Sequence, residues 1–325
     1  MHADYLHGPI LFLQKSDALL QHRSLVLQKL EASASEIKVN FASSPHEIPE
    51  KNFPIVIAPT LPWLPEAMDS IRGCRWIHFL SAGVEKIWDM PFSKGDMLMT
   101  KSSGIHGPQI SEYVIGAMLH FAKCFDEFIE QSRAREWSRR WLGELTNQTV
   151  TILGAGHIGQ TVGKRAKAFD MRVIGVQRTA RPQRDFDEVI RMEAVGGVLG
   201  NTDYLVVCLP LTTVTRGLVN ESMLEALKPG AALIDVSRGG VVVEKAVVSA
   251  LESGRLRGAA LDVFECQPLP INSSLWGRKN VLITPHVSGT SPHYIERALD
   301  IFLANLECLR RGDDALTPVD LNAGY

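Results

Sequence analysis

The chain has 325 residues, 45% hydrophobic and 22% charged, with 34 Lys plus Arg against 36 Asp plus Glu and a formal net charge of −2. The length predicts two domains, each large enough for its own core, while the near-neutral charge and the lack of a dense Lys/Arg block exclude nucleic acid or an anionic membrane as the main partner. No apolar run approaches the roughly 18 residues of a spanning helix, Met1 to Tyr5 lacks a signal-peptide pattern, and the five cysteines (74, 124, 208, 266, 308) lack Cys-x-x-Cys spacing, which predicts reduced thiols, a cytoplasmic location and no metal site.

In chain order, short buried strands are predicted at Pro9 to Leu13, Ile37 to Phe41, Ile55 to Ala58, Trp76 to Leu80 and Leu98 to Thr100, with helical patterns at Ala18 to Leu30 and Leu64 to Ile71. That is one α/β unit. A long helical pattern then runs from Pro108 through Trp137, with apolar Tyr113, Ala117, Phe121, Phe125 and Phe128 on a broad face partly available to another subunit. Its basic stretch, Arg133 to Arg140, is interleaved with Glu136 and flanked by Glu130 and Glu144, the pattern of a solvated face.

At Thr149 a β-rich apolar run breaks into Gly154-x-Gly156-x-x-Gly159, followed by a helical pattern from Gln160 to Phe169. Such a turn suits a pyrophosphate: the helix N-terminus offers unpaired N–H groups and a positive dipole end, and the glycines permit the turn, the backbone approach and the helix–strand packing. The next strand, Arg172 to Val176, ends where an NAD site carries an acidic residue for the ribose 2′-hydroxyl. Here the chain reads Gln177-Arg178-Thr179-Ala-Arg181, with no carboxylate before Asp185. A guanidinium grips a 2′-phosphate that a carboxylate would repel, so NADP(H) is the expected cofactor and NAD(H) the second choice. Further strands are predicted at Tyr204 to Leu209, Ala232 to Val236, Arg257 to Asp262 and Val281 to Ile283, and Ser291-Pro292 is read as the cap and first turn of a last helix reaching Leu309.

Past three of these strands stand Asp235-Val-Ser-Arg238-Gly-Gly, then Leu261-Asp262 leading to Gln267-Pro268, then Thr284-Pro285-His286-Val-Ser-Gly289. Strand carboxyl ends are where open α/β sheets place ligands. With Ser81-Ala-Gly83-Val84-Glu85, Ser103 to Glu112 and Glu144 to Val150, the ordered segments resemble the D-isomer-specific 2-hydroxyacid dehydrogenase family along nearly the whole chain. The resemblance implies an α/β fold of two Rossmann-like, doubly wound parallel-sheet domains. Residues 1–103 and 291–325 would form a flavodoxin-like substrate domain and 104–290 an inserted dinucleotide-binding domain, with catalysis in the cleft between them and a homodimer as the assembly. It places catalysis on Arg238, His286 and Gln267, the last standing where most members carry Glu. Substrate contacts fall on Ala82, Gly83, Val84 and His106, with the N–H groups of Gly83 and Val84 offered to a carboxylate. Cofactor contacts fall on Gly154, Gly156, His157, Ile158, Gly159, Arg178, Thr179, Leu209, Pro210, Thr215, Val236, Asp262, Ser288 and Gly289, Asp262 meeting the carboxamide.

The chemistry also follows from the residues. Reducing a 2-oxo acid needs a hydride, a proton and neutralisation of the substrate carboxylate. Arg238 can form a bidentate pair and polarise the carbonyl; His286 can exchange the proton, because an imidazole titrates near neutral pH; Gln267 can hold that ring but adds no charge. The expected activity is NADP(H)-linked interconversion of a small 2-oxo acid and D-2-hydroxy acid, such as glyoxylate or hydroxypyruvate reduction. Gln267 also opens two alternatives, a formate dehydrogenase-like enzyme and a non-catalytic cofactor-sensing protein.

Overall fold

The computed structural model describes residues 3–33, 37–49, 52–84 and 87–319; Glu85 of the strand-end motif lies outside them. The chain forms two compact units, one from residues 1–105 and 291–325 and the other from residues 106–290. The first stretch contributes β1 (Ile10–Leu13), α1 (Ser16–Ser33), β2 (Val39–Ala42), β3 (Ile55–Ala58), α2 (Leu64–Ser70), β4 (Trp76–Phe79) and β5 (Leu98–Lys101). The second unit holds α3 (Gly107–Lys123), α4 (Phe125–Ala134), β6 (Thr149–Leu153), α5 (His157–Lys167), β7 (Arg172–Val176), β8 (Glu188–Ile190), α6 (Gly196–Leu199), β9 (Tyr204–Val207), α7 (Glu221–Glu225), β10 (Ala231–Asp235), α8 (Glu244–Glu252), β11 (Leu256–Leu261) and β12 (Val281–Ile283). The chain then returns to the first unit in α9 (Tyr294–Arg310).

All ladders between these strands are parallel. Unit 1 has the order β2-β1-β3-β4-β5, the flavodoxin-like arrangement, and unit 2 the order β12-β11-β10-β9-β6-β7-β8, a Rossmann sheet with one added strand. Parallel sheets are covered on both faces, so their strands are continuous apolar runs; β1, β3, β4, β6, β9 and β10 are buried at every position. Alternate residues feed opposite cores. In β6, Val150 and Ile152 join Val173 and Ile234 on one face, whereas Leu153 joins Val176 and Leu233 on the other.

Two expectations need correction. The pattern read as one helix from Pro108 to Trp137 is broken at Cys124, whose φ of 51° ends α3 before α4 restarts. Left-handed Arg135 ends α4, which buries none of its residues, so residues 135 to 137 lie outside the helix. The last helix begins at Tyr294 rather than at Ser291-Pro292: Ser291 Oγ accepts the His293 N–H at 3.2 Å in a turn that precedes the helix.

Candidate active site

In unit 2 the Gly-rich turn joins β6 to α5. Gly154 has φ +100°, and a Cβ on Gly159 would lie 2.2 Å from the Gly154 carbonyl oxygen, so both positions exclude side chains for internal reasons. A Cβ on Gly156 would meet nothing within 4 Å. The second glycine therefore borders open space at the start of α5, where His157 and Ile158 begin the helix. This cradle fits a dinucleotide pyrophosphate held by first-turn N–H groups. Arg178 and Thr179 are exposed just beyond β7, and the guanidinium groups of Arg178, Arg181 and Arg184 have no hydrogen-bond or ion-pair partner among the described residues. Gln183 Nε2 donates to the Ala155 carbonyl (3.2 Å) and to Gln177 Oε1 (2.9 Å), folding the segment back onto the glycine turn. Leu209, Pro210 and Thr215 follow β9, where Thr215 Oγ1 donates to the Pro210 carbonyl at 2.6 Å. Val236 has its side chain in the core.

Arg238, Gln267 and His286 follow β10, β11 and β12, three adjacent strands. Gly239 is held against the Phe264 carbonyl oxygen so closely that a Cβ would lie 1.8 Å from it, which fixes the Arg238 turn against the segment leading to Gln267. Gln267 Nε2 donates to the same carbonyl at 3.2 Å. Its Oε1 is thus the atom turned to His286 Nδ1, 3.2 Å away. An amide oxygen only accepts, so Nδ1 carries the proton and Nε2 is left for other partners. Glu265 has its backbone N–H tied to Glu244 Oε1 (2.7 Å) and makes no bond to His286.

His106 is the residue before α3. Burial holds its ring below the usual histidine range, and the positive charges of Arg238 and His286 push the same way against a hydrogen bond with the Gly289 backbone. Arg238 and His286 thus lie close enough to act on one neutral ring. In unit 1, Ala82, Gly83 and Val84 follow β4; the Val84 side chain is in the core, leaving its backbone as the group on offer. The Tyr294 hydroxyl donates to the Leu80 carbonyl at 2.7 Å, and Ser102 N donates to Ser81 O at 3.2 Å, so this loop is tied down from two sides.

Sequence reasoning missed how Asp262 is used. It is wholly buried. Oδ1 accepts the Thr284 hydroxyl (2.6 Å) and Val287 N–H (2.8 Å), Oδ2 accepts Ser288 N–H (3.0 Å), and the Asp262 carbonyl accepts His286 N–H (2.9 Å). One aspartate therefore holds the whole loop that carries His286.

Its neighbour Asp235 was also missed. Burial pushes the Asp235 carboxyl up to about 7, opposed by the side-chain and backbone bonds from Ser237 and assisted by the charge of Asp262. Between the ordinary carboxylate range of about 4 and about 7, the folded chain keeps a proton that the unfolded chain has released. Stability from this group therefore falls as pH rises through that window and is level above it. Asp235→Asn keeps an acceptor for Ser237 without the charge. Its melting temperature relative to wild type should be higher at pH 8 than at pH 5, by at least about 1 kcal/mol or roughly 2–4 °C. An equal difference at both pH values would contradict this.

The family model described as D-isomer specific 2-hydroxyacid dehydrogenase, NAD binding domain, matches residues 115–288. The chain belongs to that family. This dehydrogenase is 30% identical over 271 residues to glyoxylate/hydroxypyruvate reductase A of Photorhabdus laumondii subsp. laumondii, covering 81% of this chain and 86% of the relative. Its fold matches the crystal structure of a D-isomer specific 2-hydroxyacid dehydrogenase family protein from Aeromonas salmonicida subsp. salmonicida A449, with a TM-score of 0.84 and 32% identity over 96% of this chain and 99% of that one. It also matches the enzyme of Xanthobacter autotrophicus Py2 in complex with NADPH and MES, with a TM-score of 0.81 and 27% identity over 98% of this chain and 99% of that one. The dehydrogenase uses a nicotinamide dinucleotide. Among the described residues no helix is long and apolar enough to cross a membrane, and no group of His, Cys, Asp and Glu could hold a metal.

Proposed function

We propose that this dehydrogenase is an NADP(H)-preferring reductase of small 2-oxo acids, glyoxylate or hydroxypyruvate being the leading substrates. The observation that carries the reading is the placement of Arg238, Gln267 and His286 after the adjacent strands β10, β11 and β12, with the neutral ring of His106 near Arg238 and His286, in the same unit as a nucleotide turn and an Arg178 that follows β7. The relative named glyoxylate/hydroxypyruvate reductase A and the related structure bound to NADPH support it.

NADPH, when bound, supplies the hydride. Gly154 to Gly159 would hold its pyrophosphate and Arg178 and Thr179 its 2′-phosphate, and Leu209, Pro210, Thr215, Val236, Ser288 and Gly289 would complete the contacts. Arg238 takes the substrate carboxylate in a fork of charged hydrogen bonds. His286 gives the proton from Nε2, because Gln267 occupies Nδ1 both before and after transfer. His106, held neutral, can donate or accept toward the substrate without adding charge.

The cofactor reading is tested at Arg178. NADPH should bind at least about tenfold more tightly than NADH, or about 1.4 kcal/mol, and Arg178→Asp should abolish or reverse the ratio. Fluorescence titration at fixed salt measures both; equal affinities in the wild type would reduce Arg178 to a surface residue.

The assembly we infer is a homodimer in the cytoplasm, in keeping with five free cysteines. It is supported by the exposed Phe125, Ile129, Trp137 and Trp141, apolar side chains on one stretch of the surface that a second copy would cover. Sedimentation equilibrium should give the dimer mass, shifting to monomer in Trp137→Lys/Trp141→Lys. A monomeric wild type would contradict the inference.

A further inference from the structure

Tyr113 projects from α3, where its ring belongs to the apolar face of the helix, yet its hydroxyl reaches the loop that carries His286. Thr284 Oγ1 lies 2.8 Å from the Tyr113 oxygen and donates its own proton to Asp262 Oδ1 at 2.6 Å. Having one proton, Thr284 can only accept from Tyr113. The direction is thereby fixed: Tyr113 donates to Thr284 and Thr284 to Asp262, whose carboxylate also accepts from the N–H groups of Val287 and Ser288. Burial pushes the Tyr113 hydroxyl up to about 12, so the donor stays protonated at every working pH.

What this chain holds is a backbone that does not hold itself. His286 has φ +55°, a region that side-chain-bearing residues rarely occupy. Such a conformation persists where surrounding bonds over-determine it. Here the bonds from residues 284, 286, 287 and 288 all converge on Asp262. The same turn directs Nδ1 toward Gln267.

We propose that Tyr113 is a positioning residue for His286: through Thr284 and Asp262 its hydroxyl holds the 284–288 loop in the left-handed turn that keeps Nδ1 on Gln267. The inference rests on the reading of His286 as proton donor only for its kinetic consequence. The placement of the ring does not depend on turnover.

Two readouts separate this role from simple packing. Tyr113→Phe keeps the ring and removes the donor; Thr284→Val breaks the same chain, and Thr284→Ser preserves it. In NMR of the ring nitrogens of isotope-labelled histidine, with the His286 signal identified by its loss in His286→Gln, the neutral wild-type ring should be the Nδ1–H tautomer. Tyr113→Phe and Thr284→Val should move it toward the Nε2–H form, and Thr284→Ser should not. With NADPH and a 2-oxo acid, kcat should fall five- to tenfold in Tyr113→Phe with KM nearly unchanged, and the double variant Tyr113→Phe/Thr284→Val should be no worse than Thr284→Val alone. A wild-type tautomer in both Tyr113→Phe and Thr284→Val, or losses that add in the double variant, would overturn the proposal. If Tyr113→Phe fails to fold, the Thr284 pair decides it. A wild type that turns over no 2-oxo acid would sink the functional reading, and the tautomer would still decide the role of Tyr113.

Discussion

Arg238→Lys should lower kcat/KM for 2-oxo acid reduction by at least about a hundredfold, the scale on which removal of one preorganised charged donor is felt in a closed site, while the Kd for NADPH changes little. The substitution keeps the positive charge. It removes the planar fork that meets both oxygens of a carboxylate and polarises the neighbouring carbonyl. Lysine would present a single mobile ammonium on a turn that Gly239 fixes against Phe264. Because the nucleotide turn lies at the end of β6, two strands away from β10, cofactor binding should not follow the loss. The measurements are steady-state kinetics and a cofactor titration on the same preparation. Near wild-type turnover in the lysine variant would remove Arg238 from the site, and a parallel loss of NADPH affinity would make its role structural.

His286→Gln should cost a comparable factor, about 10²–10⁴ in kcat for reduction, the range of a lost general acid. The pH profile carries the finer information. Reduction requires the protonated ring, so its rate falls on the alkaline side, whereas oxidation requires the neutral ring. Gln267 fixes the ring by accepting from Nδ1 but brings no charge to favour imidazolium. Gln267→Glu should therefore move the falling limb of kcat/KM for reduction to higher pH, by on the order of one unit. Glu265→Gln should leave the limb in place, since Glu265 makes no bond to the ring. A limb unmoved by Gln267→Glu would mean that the proton comes by another route.

The fold was legible because its strands are unbroken apolar runs, which only a sheet covered on both faces accommodates. Their observed ends differ from the expected ones by one or two residues, as at β2 and β9. The break at Cys124 could not be read, because no glycine or proline marks it; a cysteine takes the left-handed turn. The short edge strand β8, Glu188–Ile190, carries too little apolar pattern to be seen. At the site, the glycine turn and the polar segments after three strands are local in sequence and visible as motifs. The use of Asp262 is not, since its partners lie 22, 25 and 26 residues downstream. Tyr113 is further still, 171 residues from Thr284, and on its own helix it counts only as one more apolar position.

The central claim is that this chain reduces 2-oxo acids with NADPH, and the most direct measurement is the disappearance of NADPH absorbance with a panel of 2-oxo acids, run beside formate with NADP⁺. Glyoxylate or hydroxypyruvate should drive NADPH oxidation, faster than NADH oxidation under the same conditions, with no reaction from formate. Tight NADPH binding without turnover on any 2-oxo acid would contradict the account in favour of a cofactor-sensing protein, and formate-dependent reduction of NADP⁺ would contradict it in favour of a formate dehydrogenase.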